Sequence, residues 1–215
     1  MTFLITAGPT REAIDPVRYI SNRSSGKMGY AIAEAALDSG HDVILISGPV
    51  NLAPPRNSKL ISVSTSDEMF DAVHQHAESS DICVLCAAVA DYKPAQVSPV
   101  KIKKRADGIS LELIPTRDIL QSLGQRQNRK FLLVGFAAET DRLEAKATEK
   151  LRKKNCDIII GNDARGAMET DENELLILFR DGEMKKIPRA PKTFLARELV
   201  KIFLNSQQKS LTKKM

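Results

Sequence analysis

The sequence predicts an α/β domain built on a doubly wound, mostly parallel sheet. Short apolar runs alternate with helical stretches along most of the chain. That order gives parallel strands joined by crossover helices. Some runs, such as Leu132–Phe136 and Asp157–Ile160, are apolar without alternation, as strands buried on both faces are. The C-terminal part departs from this order. Two strand-like runs there flank Asp181-Gly182, a hairpin turn.

The first strand is Phe3–Ala7. Ser24–Ser39 follows as a helix with small residues at Ala31, Ala33, Ala35 and Ala36, ended by Gly40. His41–Ser47 is a strand closed by Gly48-Pro49, and Leu60–Val63 is a short one. Ser66 is placed as the cap of a helix reaching about Glu78, as Ser-x-x-Met and not a full capping box. Ile82–Ala88 is the next strand, and Arg117–Gly124 a short helix. Phe131–Phe136 is a strand. Asp141–Lys154 is a charged helix with Leu143, Ala147 and Leu151 on one face. Cys156–Gly161 is a strand, Glu174–Arg180 and Glu183–Ile187 form the hairpin, and Thr193–Leu204 is the closing helix.

Two connections are too long to be simple turns. Gly8–Arg23 separates the first strand from its helix. Asp91–Pro115 contains two alternating segments, Val100–Lys104 and Ile109–Leu113. Long loops in compact domains are commonly functional, and the second reads as a protruding β arm. Residues 1–206 form a single domain, and 207–215 is a basic tail expected to be disordered.

Composition narrows the function. The chain has 215 residues, 42% apolar and 27% charged, as a soluble globular protein does. No apolar run reaches the roughly 18 residues of a membrane span. Met1-Thr-Phe-Leu-Ile-Thr-Ala-Gly has no basic region, so it reads as a strand and not as a signal peptide. Net charge is +5, but Lys209, Lys213 and Lys214 supply three of those charges, leaving +2 for the body. With no tryptophan and 5% aromatics, neither nucleic acid nor a base-stacking platform is expected. The three cysteines, Cys83, Cys86 and Cys156, fit a reducing, cytoplasmic setting. Cys83-Val-Leu-Cys86 has redox spacing but lies inside a buried strand pattern, and reads as core. His41, His74 and His76 show no zinc-ligand spacing with cysteine.

Ligands of open α/β sheets sit beyond the carboxyl ends of the strands, and the unusual residues gather there. Ser24-Ser25-Gly26-Lys27-Met28-Gly29 opens the first helix, whose free N–H groups suit phosphate. It is not a dinucleotide fingerprint: Ser24 replaces the first glycine, the strand is distant, and no acid follows the second strand. It is not a Walker A loop either, because Ser21 and Met28 stand at two required positions. Otherwise Gly26 and Gly29 only permit close packing. Lys101-Ile102-Lys103-Lys104-Arg105 is a basic cluster that suits a triphosphate, or simply guards an edge strand. Asp91 follows the central strand and suits a metal, a sugar hydroxyl or a turn. Lys150 and Lys154 share a helical face. Asn22 supplies an amide, and Arg18 a fork for carboxylate or phosphate. Asp15-Pro16 beside them reads as turn chemistry.

Taken in order, these segments resemble phosphopantothenoylcysteine synthetase, the second activity of the bacterial coenzyme A flavoprotein. The matching pieces are Thr6–Glu12, Asp15–Gly29, Ala87–Tyr92, Lys101–Lys104, Gly135–Thr140, and Asn155-Cys156-Asp157 with Asn162-Asp163. The resemblance implies a Rossmann-like homodimer with a β arm. It implies a ligase that joins 4′-phosphopantothenate to L-cysteine through an acyl-cytidylate, using CTP and Mg2+. Asn22 and Lys101 would carry the catalysis. Arg18, Asn22, Ala87 and Ala88 would meet the substrate. Gly8, Ser24, Ser25, Gly26, Ala87, Asp91, Lys101, Thr116, Arg117, Asp118, Ile119, Phe136, Lys150 and Lys154 would meet the nucleotide. Metal ligands are not assigned. The sequence begins at the synthetase's first strand, so a stand-alone synthetase without flavin is expected. Two other readings stay open. An NAD(P)-dependent reductase would want Tyr-x-x-x-Lys, but Tyr30 is followed four residues on by Glu34. A non-catalytic nucleotide-binding or assembly protein would bind nucleotide without cysteine-dependent release of pyrophosphate.

Overall fold

The computed structural model describes residues 1–104, 107–163 and 170–212. Its strands are β1 (Thr2–Ala7), β2 (Arg11–Ala13), β3 (Tyr19–Ser21), β4 (Asp42–Ser47), β5 (Lys59–Ser62), β6 (Ile82–Leu85), β7 (Tyr92–Pro94), β8 (Leu113–Pro115), β9 (Leu132–Glu139), β10 (Ile158–Asp163), β11 (Glu172–Phe179) and β12 (Met184–Pro191). The α-helices among the described residues are α1 (Lys27–Asp38), α2 (Ser66–His76), α3 (Ile119–Gly124), α4 (Leu143–Lys153) and α5 (Lys192–Thr212). None of them is long and apolar enough to cross a membrane.

Eight strands form one sheet in the order β12-β11-β10-β9-β6-β1-β4-β5. The six from β5 to β10 are parallel. β11 and β12 add an antiparallel edge. The α/β, mostly parallel expectation therefore holds, and so does the hairpin. The chain runs outward from β1 through β4 and β5, then returns to β6 on the other side. That reversal opens a crevice between β1 and β6, where such sheets receive ligands.

Alternation along the strands builds two cores. Phe3, Ile5 and Ala7 face α1 and α5 with Leu195, Leu199 and Phe203. Leu4, Ile46 and Cys83 face the other layer, with Met69 and Val73 of α2, Leu123 of α3 and Leu151 of α4. Cys83 is thus core packing, as expected, whereas Cys86 follows β6 and is only partly buried against the other core. Cys83 is fully buried, and all three thiols are free. Desolvation raises each of them, Cys86 and Cys156 to about 12.

Several boundaries differ from expectation. α1 begins at Lys27, not Ser24, because Gly26 takes a left-handed conformation (φ 78°) that cannot continue a helix. The cap of α2 is Thr65, not Ser66. Its hydroxyl accepts from the Glu68 N–H while the Glu68 carboxylate accepts from the Thr65 N–H, a full capping box. α3 starts after Asp118, which caps it. β9 extends to Glu139. The first long loop holds an antiparallel pair, β2–β3. The arm is paired only at its root, β7 with β8; its described residues 101–104 and 107–112 form no strand. Arg105 lies outside the described residues. α5 runs on to Thr212, into the segment expected as a tail, because Gln207 is buried and its amide reaches the Lys130 carbonyl.

Gly48 closes β4 where no side chain fits: a Cβ there would lie 1.8 Å from the Pro9 oxygen. Gly48→Ala must push the Gly8–Arg23 loop away. It should destabilise the domain by about 1–3 kcal/mol, read as a lower urea midpoint.

Candidate active site at the sheet switch point

The floor of the crevice is Ala87–Asp91, the segment leaving β6. Backbone and hydroxyl groups stitch it down from both sides. Thr6 Oγ1 accepts from the Ala87 N–H at 3.1 Å, Gly8 O from Ala88 at 2.9 Å, and Thr10 Oγ1 from Ala90 at 3.0 Å. On the far side, Thr116 donates its N–H to Asp91 O (2.9 Å) and its hydroxyl to Ala90 O (2.7 Å). Small side chains at Ala87, Ala88 and Ala90 let these backbones approach each other. Asn22 leans over the floor, its Nδ2 donating to Ala88 O at 2.9 Å.

A cavity of about 870 Å³ lies over this floor. The Ser24–Gly26 turn borders it on the side of α1. Across the floor, the Thr116–Ile119 turn, Phe136, Lys150 and Lys154 border it. Ala87, Ala88 and Asp91 form its base. These sequence-predicted residues are therefore brought together by the fold.

The wall charges are engaged. Lys150 Nζ donates to Phe136 O at 2.7 Å, and desolvation lowers its ammonium from the ordinary value. Lys154 pairs with Asp118 and donates to Gln121 Oε1 at 2.9 Å. Burial pushes the Asp118 carboxyl up, but the hydrogen bonds from Lys154 and the Gln121 N–H outweigh it and hold it below the usual range.

Some predicted residues stand apart. Gly8 does not line the cavity. Its carbonyl is turned to Ala88, and it packs against Val50 beneath the surface. Arg18 and Lys101 line a separate groove of about 690 Å³ at the arm. Asn22 lines a neighbouring depression of about 520 Å³, which shares Ser24, Ser25 and Lys27 with the cavity. Buried cavity residues that the sequence reading gave no role include Lys192, Asn173 and Asn162, the last noted only as part of a matching segment. Lys192 opens α5 after Pro191, where a sequence shows only a helix start; its ammonium is lowered by desolvation, with Lys27 adding to it.

Beyond its root, the arm is tied at Ile102 to Asp15, whose side chain has no exposed surface. Its Oδ1 accepts from the N–H groups of Val17 and Arg18, both at 2.9 Å. Its Oδ2 accepts from the Arg18 guanidinium and, at 3.1 Å, from the Ile102 N–H. Arg18 donates back to Ile102 O at 2.9 Å. Lys101 is thereby set next to an anchored residue.

A family model described as DNA/pantothenate metabolism flavoprotein C-terminal domain matches residues 1–206. The chain belongs to this family. Among its relatives, the coenzyme A biosynthesis bifunctional protein CoaBC of Haemophilus influenzae is 47% identical over 209 residues, 96% of this chain and 52% of its own. That of Bacillus subtilis is 47% identical over 201 residues, 92% of this chain and 49% of its own. The chain thus spans about half the length of the curated relatives it matches. The crystal structure of the C-terminal domain of a CoaBC superposes with a TM-score of 0.82 at 42% identity, covering 100% of this chain and 96% of that one. A Cab2 variant in complex with phosphopantothenate-cysteine has a TM-score of 0.81 at 20% identity, covering 99% and 88%, a likeness of fold.

Asp15 yields a prediction with a sign. The Arg18 hydrogen bond holds its carboxyl well below the usual carboxylate range, against the opposing effect of burial. A lowered folded pKa gives stability that is full above the unfolded pKa, about 3.9, and is lost progressively as pH falls from there through the folded value. The arm anchor should therefore persist through mild acid. In Asp15→Asn, the Ile102 amide should exchange hydrogen at least about tenfold faster at neutral pH, as losing a charged acceptor implies.

Proposed function

We propose that this domain joins 4′-phosphopantothenate to L-cysteine, with CTP as the activating nucleotide and magnesium as its counter-ion. Convergence carries this reading. The Ser24–Gly26 turn, the Ala87–Asp91 floor, the Thr116–Ile119 turn and the Lys150–Lys154 pair all border one cavity, and the family's relatives are named for coenzyme A biosynthesis.

The chemistry needs neutralisation and alignment more than a protein nucleophile. The pantothenate carboxylate attacks the α-phosphate of CTP, forming the acyl–phosphate bond and expelling pyrophosphate. The amine of cysteine then attacks the acyl carbonyl, forms the amide and releases CMP. The N–H groups opening α1 suit phosphate oxygens. Lys150 and Lys154 offset triphosphate charge from the opposite wall. Asn22 carries two N–H donors and an oxygen, one donor of which is spent on Ala88, leaving the rest of the amide to align the reacting acyl group.

Among the described residues no three His, Cys, Asp or Glu side chains gather as a metal site. Magnesium would therefore arrive on the phosphates, with Asp91 as the carboxylate of the floor.

The arm fits a homodimer. Val17, Tyr19, Val97, Val100, Ile109 and Leu111 are exposed apolar residues on the arm and on the loop packed against it. A second copy covering them would hide this surface and bring Lys101 toward a cavity. The expected compartment is the cytoplasm.

The test is pyrophosphate release by purified protein given 4′-phosphopantothenate and Mg2+ with CTP or ATP, with and without cysteine. Release with CTP, and amide product only after cysteine is added, are expected. Lys101→Gln and Asn22→Asp should each lower turnover about a hundredfold. Cys86→Ala should turn over close to the wild-type rate. Silence of a folded, dimeric protein with both nucleotides would refute the ligase.

A further inference from the structure

Arg117 stands in the nucleotide turn, yet its guanidinium is directed into α2. Nε donates to Asp67 Oδ1 at 3.0 Å, one terminal nitrogen to the Asp67 main-chain oxygen at 3.0 Å, and the other pairs with Asp71 at 2.8 Å. The guanidinium carbon lies 4.0 Å from the centroid of the Phe70 ring. A fork occupied on each nitrogen and stacked on an aromatic face is poorly placed to turn to a phosphate.

The second carboxylate oxygen of Asp67 takes the ammonium of Lys93. Lys93 belongs to β7, the root strand of the arm. One carboxylate therefore ties the arm's root to the Thr116–Ile119 turn. The stripe continues down α2. His74, seven residues on from Asp67, is 2.7 Å from Ser122 Oγ, and that hydroxyl donates to Ile119 O at 3.0 Å. α2 itself is immobilised at the same end: besides its capping box, the Ser66 N–H donates to buried Glu12 at 2.8 Å.

We propose that Asp67 is a positioning residue for the nucleotide site, acting through Arg117 on the Thr116–Ile119 turn and through Lys93 on the arm, and that Arg117 is the tie and not a phosphate ligand. This rests on the reading of the cavity as a nucleotide site. Supporting shells of this kind hold site loops to the sub-ångström placement that binding needs. These ion pairs are half-exposed, and such pairs add little to global stability. Their effect should be on placement, not on folding.

Asp67→Asn, Asp67→Glu, Arg117→Gln and the Asp67→Asn/Arg117→Gln double variant test this in the full chain. CTP affinity would be measured by calorimetry, and the KM for CTP and for cysteine by pyrophosphate release. Asp67→Asn should weaken CTP binding and raise its KM about tenfold, the range of coupling through such networks. The KM for cysteine and the melting temperature should stay at wild-type values, and Asp67→Glu should recover part of the loss. The double variant should be no worse than the poorer single one, since both remove the same tie. CTP binding unchanged in Asp67→Asn would overturn the proposal. So would an Arg117→Gln loss that adds in full to that of Asp67→Asn, because Arg117 would then touch phosphate directly. A wild-type chain that binds nucleotide but releases no pyrophosphate would refute the ligase while leaving the calorimetric comparison to decide the role of Asp67. A wild-type chain that binds neither CTP nor ATP would overturn the proposal together with the nucleotide site.

Discussion

Asp15 is a carboxylate without exposed side-chain surface, and five donors converge on it. Burying a charge is costly unless hydrogen bonds and a counter-charge offset it; here two turn amides, an arm amide and the Arg18 guanidinium do so. Removing Arg18 would leave the Asp15 carboxylate buried without its counter-charge. The Gly8–Arg23 loop and the arm therefore take their positions together. Without this cluster, the arm at Ile102 would lose its tie to the Val17–Arg18 turn, and Lys101 would lose its anchored neighbour.

The floor of the cavity uses a different device. Thr6 and Thr10 present hydroxyls to the Ala87–Asp91 segment where β1 ends, and Thr116 does so from the other side. No charge is involved. The segment is held by neutral hydrogen bonds of 2.7–3.1 Å. Apart from Asp91 at the base, the charged lining stands on the walls, with Lys150, Lys154 and Lys192 among it. This division gives a rigid floor and a positively charged rim.

Much of the architecture was legible in the sequence, because hydrophobic periodicity reports burial directly. Unbroken runs such as Ile158-Ile159-Ile160 fall in buried parallel strands. What was not legible depends on tertiary partners. Val100–Lys104 alternates as a strand does, but among the described residues it has no neighbour to pair with, so it forms none. Ser66 has the right side chain for a cap, but Thr65 has Glu68 three residues on, and the reciprocal pair wins. Unusual side chains at strand ends pointed to Ala87–Asp91, whereas the Thr116–Ile119 turn, Lys150 and Lys154 were assigned by the family resemblance. Lys192 was missed because nothing local distinguishes it from a surface lysine. Arg117 was placed at the right turn, but the direction of its guanidinium is set by α2, some fifty residues away in sequence.

One thiol has a chemical consequence. Cys86 lines the cavity in which, under the proposed reaction, a mixed carboxylic–phosphoric anhydride forms. Such an acyl group reacts readily with a thiolate. Desolvation raises the Cys86 thiol to about 12, so its thiolate is scarce at neutral pH. A scarce thiolate on the cavity wall would leave the activated acyl group to the incoming amine and not to a protein-bound thioester.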